Sequence, residues 1–282
     1  MPISLTLRQL AAFATACLLA GTAVAREFWL EPARFFVPPG AAVHLRRLVG
    51  QNFRGVAWAG QSNRVVRLLH LAPGAAPADL RPSATAADTL ATTLTLRQPG
   101  THLVALATNE TITTLSATDF TAYLQAEHLD YVLALRQQRG QQQLLGREAY
   151  RRCAKTLIQV GAPTPTDTAR AWGRTVGLPL ELVPEQNPVT LPLGAGLTVR
   201  VLADGRPMAG QPVRLWRRGT APQAFISTLR SNQNGRVLFR ISGPGEYLVS
   251  SVRMAAAPAG QAADWVSTWT TLTFCVAPQK RL

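Results

Sequence analysis

At 282 residues the chain is long enough for about two domains, and 47% apolar against 16% charged residues is the composition of a globular protein with a real core. Its charge is lopsided: 29 Lys and Arg against 15 Asp and Glu give +14, and nearly all of the excess is arginine. Those arginines are scattered rather than gathered on one helix, which with an export signal argues against nucleic acid, and no glycine-rich phosphate loop, nucleophile elbow or HExxH pattern marks an enzyme.

Residues 1–25 read as a secretory signal. Arg8 supplies the basic start, residues 10–20 form the apolar run, and Gly21-Thr22-Ala23-Val24-Ala25 ends in the small-x-small pattern that signal peptidase cuts. The run is shorter than the ~20 residues needed to span a bilayer, and Cys17 sits in a poor lipidation context after Ala14-Thr15-Ala16. No second segment can cross a membrane. The expectation is a soluble mature protein starting at Arg26 in the periplasm.

Glu27 and Glu31 bracket Trp29, and strand alternation puts all three on one face. They are the candidate ligand-binding residues; the competing reading is an edge strand with solvated acids. Residues 43–49 and 65–71 read as strands, and 75–88 as a polar loop. Thr93-Leu94-Thr95-Leu96-Arg97 and residues 101–107 alternate around Pro99-Gly100, a hairpin signal. Phe120, Leu124, His128 and Val132 fall at helical spacing, which predicts one amphipathic helix of about five turns over 119–138, capped by Thr118 or Asp119. A further strand is expected around 154–161.

Residues 163–178 read as a linker, starting in a Pro/Thr-rich stretch. Beyond it, short apolar runs are separated by Asp204-Gly205, Asn234-Gly235 and Pro244-Gly245, turns with a mechanism for tight reversal. The rhythm is that of seven strands in an immunoglobulin-like or transthyretin-like sandwich. The fold class expected is therefore all-β: two antiparallel β-sandwich domains, 26–162 with the helical insertion and 179–282.

Of the four histidines, His44, His102 and His128 are weak candidates for metal ligands, and none stands in an HxH or HxxxH pair. Cys153 and Cys275 survive signal removal without a spacing motif, and two free thiols are expected. Trp265, Trp269 and Trp29 invite a carbohydrate platform, but aromatic side chains in a sandwich are far more often core.

Arg26-Glu27-Phe28-Trp29-Leu30-Glu31-Pro32, Val49-Gly50-Gln51-Asn52-Phe53, Arg147-Glu148-Ala149-Tyr150 and Trp265-Val266-Ser267-Thr268-Trp269 together resemble a family of bacterial exported proteins. That family is catalogued as a domain of unknown function and is often labelled as a periplasmic component of cobalt or nickel uptake. The resemblance implies a non-catalytic binding or accessory protein, partners among envelope proteins or a membrane transport system, and Ni²⁺ or Co²⁺ as ligand. The family opens with His before Glu/Asp-Phe-Trp, whereas this chain has Arg26, whose guanidinium does not coordinate a metal. A protein-protein interaction module with no small-molecule ligand is the alternative.

Overall fold

The computed structural model describes residues 27–60, 62–83, 91–163, 168–218 and 225–278. The expected signal segment, Arg26 and parts of the 75–88 loop and of the linker lie outside these residues. Among the described residues eighteen strands run in chain order: β1 Glu27–Pro32, β2 Phe36–Val37, β3 Ala41–Gln51, β4 Arg54–Ala57, β5 Val65–Leu71, β6 Ala78–Asp79, β7 Ala91–Leu96, β8 Gly100–Thr108 and β9 Thr111–Leu115, then β10 Gly146–Val160, β11 Leu180–Pro184, β12 Gly196–Ala203, β13 Arg206–Pro207, β14 Pro212–Arg218, β15 Phe225–Arg230, β16 Arg236–Arg240, β17 Gly245–Ala256 and β18 Trp265–Val276. Two helices, α1 Ala117–Ala126 and α2 Asp130–Gln138, stand between β9 and β10.

The chain is all-β, as its alternating runs predict. A central sheet has the order β15-β14-β17-β18-β10-β8-β5-β6, with β2 and β9 also on β10. On one of its faces lies a sheet of β1-β3-β4 with β7 on β3, and on the other a sheet of β11-β12-β13 with β16 on β12. The long strand β10 shows how one sheet serves both. Its side chains alternate, so Ala154 and Ile158 pack with Phe28 and Leu30 of β1, while Cys153 and Leu157 pack with Leu180 and Val199 of the opposite sheet. Pairing of β10 with β18 is parallel, in register from Glu148↔Trp265 to Thr156↔Thr273, and joins strands from before and after residues 163–178. Within that stretch Ala171 and Trp172 are buried in the larger core.

The layers are also pinned by charge. Lys155 and Glu181 are each 1% exposed and pair at 2.5 Å between β10 and β11. The Lys155 ammonium also donates to the carbonyls of Arg174 and Leu182, while the Glu181 carboxylate accepts from the amides of Val176, Gly177 and Leu178. Every lone pair and proton of the pair thus has work, which is what a buried ion pair requires.

The single helix expected over 119–138 is two. The cap is Ser116, whose hydroxyl accepts from the amide of Asp119. The first helix stops where His128 turns left-handed at φ 55°; the amide of Leu129 then reaches the carbonyl of Leu124 and that of His128 the carbonyl of Gln125. This is a Schellman stop. Helical spacing of Phe120, Leu124 and Val132 is satisfied in both pieces because the break keeps Leu129 and Val132 on the buried side, against Val252, Met254, Trp265 and Trp269. Those two tryptophans are core. Cys153 and Cys275 are unpaired, the first buried and the second half-buried.

Candidate functional site

β1 is the strand around which polar side chains collect. It is not a solvated edge: all six residues are buried, because β3 pairs one side of it and the hydroxyls of Thr271 and Thr273 on β18 donate to the carbonyls of Phe28 and Leu30, each at 2.7 Å. Alternation sends Phe28 and Leu30 into the core between sheets and brings Glu27, Trp29 and Glu31 to the opposite face, where Trp29 joins Leu48, Phe53, Trp216 and Leu248.

Each acid meets an arginine. The Glu27 Oε1 accepts from the indole of Trp216 at 2.9 Å and the hydroxyl of Ser250 at 2.7 Å, and lies 3.2 Å from Arg214 Nη2. Arg214 also grips Glu127 at the end of α1. Close by, Glu148 accepts from Tyr123 at 3.0 Å and from Ser267. Glu31 is clasped by Arg46 and by Arg218, the latter at 2.5 Å and shared with Glu246, and takes a 3.3 Å bond from the Trp29 indole.

Burial dominates the electrostatics. It raises Glu27 above the ordinary carboxylate range against the opposing pull of Arg214 and the hydrogen bonds of Ser250 and Trp216, and it raises Glu148 against Ser267 and Tyr123. Glu127 is pushed up to about 7, first by burial and then by the charges of Glu27 and Glu148, with Arg214 opposing. Burial thus lets Glu127 keep its proton to about neutrality.

A tight hairpin closes over Trp29. Gln51 and Arg54 pair across Asn52 and Phe53, both at positive φ (55° and 56°), the pattern of a two-residue type I′ turn. A left-handed phenylalanine costs ~1–2 kcal/mol, and full burial of its ring returns ~1.5–3 kcal/mol. The ring is 1% exposed, edge-on to Trp29 at 5.7 Å and capped by the Arg218 guanidinium at 4.4 Å. Opposite it, Gly55 makes room: an added Cβ would lie 2.5 Å from the Trp29 ring.

The histidines go elsewhere. His44 is exposed on β3 and bonded to Thr93 at 3.2 Å. His128 forms the left-handed helix stop. His102 on β8 is buried, with Nε2 2.6 Å from the Gln98 carbonyl and Nδ1 2.8 Å from Nε2 of His70. Since a carbonyl only accepts, His102 donates through Nε2, and its Nδ1 is taken up with His70, so both ring nitrogens are engaged. Burial, then His102, lowers His70 to about 4. Among the described residues no group of three or more His, Cys, Asp or Glu could hold a metal ion.

Glu27, Trp29 and Glu31 were legible as one face in the sequence; their partners Arg214, Arg218 and Glu127 were not. Arg214, Trp216 and Arg218 alternate along β14 while Val213 and Leu215 enter the core, and that period-two stripe was the signal available. Glu127 gave none, since it is the first residue beyond α1 and is carried inward by the helix stop.

The geometry defines a class: an all-β protein of three packed sheets whose converging charges neutralise one another inside the fold. The chain belongs to the DUF4198 family, a domain of unknown function, whose profile matches residues 23–255. No curated protein sequence matches it. Among solved structures it is similar to the D0-D1 domain of intimin, at 15% identity over 88% of this chain and 97% of that one, with a TM-score of 0.22. It is also similar to trypsin-activated alpha-2-macroglobulin from Escherichia coli, at 12% identity over 92% of this chain and 16% of that one, TM-score 0.24. A marsupial T cell receptor matches at 9% identity over 91% and 75%, TM-score 0.22. At such scores the architecture rests on the strand order and packing described above.

Proposed function

We propose that this chain is a non-catalytic interaction protein of the bacterial envelope, exported by its residues 1–25. The observation that supports this reading is a contrast. Polar groups that converge around β1 bond one another, whereas large apolar side chains stand in solvent on β9 and along the segment between β9 and β10. Of the nine large apolar residues exposed among the described residues, Ile112, Tyr131, Leu144 and Leu145 fall within residues 111–145. Exposed apolar side chains that lie this close along the chain are the surface such a protein would offer a partner. No helix among the described residues is long and apolar enough to cross a membrane.

In its finer form the partner is a membrane system for uptake of a divalent metal or another nutrient; only the family resemblance supports that form. The test is co-purification of the tagged full chain from envelope extracts after crosslinking, beside an Ile112→Asp/Leu144→Asp variant. The reading expects one envelope protein recovered in fixed ratio with the wild type and lost from the variant, whose melting temperature is unchanged. Recovery of the same protein at the same ratio with both chains would overturn the assignment of the surface.

A further inference from the structure

A pocket of about 320 Å³ opens where the connection from α2 to β10 meets the start of β18, at the small end of ligand-binding cavities. Its polar lining is rich in donors. Arg136 is 2% exposed; its guanidinium lies 4.9 Å over the Phe120 ring and uses Nη2 for the carbonyls of Leu144 at 2.9 Å and Gln142 at 3.4 Å. No hydrogen bond within the described residues uses its Nε or Nη1. Trp265 is 1% exposed and its indole N–H is buried with no hydrogen-bond partner among the described residues. The acid at the pocket, Asp264, is already held by Arg147 through two bonds of 2.7 and 3.0 Å.

The Nε–Nη1 edge of Arg136, which no protein acceptor takes among the described residues, is open to an anionic acceptor, and a carboxylate on arginine is among the stronger such pairings. Above these donors stand Leu144 and Leu145, each 57% exposed, a lip that an apolar chain would cover. We propose that this pocket binds a small organic carboxylate carrying an apolar chain, the carboxylate meeting the open edge of the Arg136 guanidinium beside Trp265 and the chain lying against the two leucines. Leu144 and Leu145 also belong to the surface assigned to a partner above, but small-molecule binding is read on the isolated chain, so the two readings fail separately.

Two probes carry the chemistry from different sources: octanoate for a fatty acid and N-acetyl-leucine for the carboxyl end of a peptide. Octylamine is the control of opposite charge. The readout is the side-chain N–H resonance of Trp265 in a nitrogen-proton correlation spectrum, identified by its loss in Trp265→Phe. Saturable movement with at least one carboxylate, none with octylamine, and affinity weakened about tenfold or more in Leu145→Asp are expected, and the tighter carboxylate identifies the source. Leu145 is exposed, so that variant keeps the fold, which its spectrum verifies. No movement with either carboxylate at millimolar concentration, equal movement with octylamine, or unchanged affinity in Leu145→Asp would overturn the proposal.

Discussion

Replacing Glu127 by Gln exposes the electrostatics of the cluster more sharply than any truncation. The folded protein holds this carboxyl at about 7 against an ordinary 4.5, so between those values the native state keeps a proton that the unfolded chain has released. Stability therefore falls as pH rises through that window. A gap of about 2.5 pH units at ~1.36 kcal/mol each amounts to about 3 kcal/mol. Glutamine resembles the protonated acid in shape and never ionises. The difference between Glu127→Gln and wild type is expected to be small at pH 4.5 and to move in favour of the variant by about 3 kcal/mol by pH 8. Taking that difference cancels most of what the two proteins share, including His70 and Glu148. Glu27 is the coupled group: freed of its neighbour's charge, it has Arg214 to itself. Urea unfolding followed by circular dichroism at pH 4.5, 6 and 8 measures it. A difference independent of pH, or one that grows against the variant above pH 7, would refute the reasoning and place an ionised Glu127 firmly on Arg214.

Other perturbations follow from the same packing. Lys155→Met leaves Glu181 as an unpaired buried charge between β10 and β11 and is expected to cost about 3–5 kcal/mol in urea unfolding, much of it recovered in the Lys155→Met/Glu181→Leu double variant. Gly55→Ala pushes a methyl group against the Trp29 ring, and a loss of about 1–3 kcal/mol with a change in tryptophan near-ultraviolet dichroism is expected. Phe53→Gly removes the left-handed strain but also the buried ring, so the burial term decides and the variant should be less stable than wild type by about 1 kcal/mol in thermal unfolding.

The all-β character was legible because alternation is local: Thr93-Leu94-Thr95-Leu96 declares its pairing face whatever lies beside it. The pairing of β10 with β18 was not, since a parallel contact between strands more than a hundred residues apart leaves no mark in either. The helix break at His128 was hidden for a different reason. Leu124, Leu129 and Val132 satisfy helical periodicity through the stop, and nothing but a left-handed histidine, carrying neither glycine nor proline as a signal, ends the first helix. At β1 the alternation of Glu27, Trp29 and Glu31 was readable, yet acids on a first strand fit a solvated edge equally well. What seals them, Arg214 and Arg218 from β14 and two threonine hydroxyls from β18, arrives from the far end of the chain.

The central claim is that the charges around β1 serve the fold rather than a metal ion. Calorimetric titration of the purified protein with Ni²⁺, Co²⁺, Cu²⁺ and Zn²⁺ tests it most directly. The account predicts flat traces for all four, because Glu27 and Glu31 are committed to arginines and both nitrogens of His102 are engaged. One-to-one binding at micromolar affinity or tighter, lost in Glu27→Gln or Glu31→Gln, would contradict it and make these acids metal ligands.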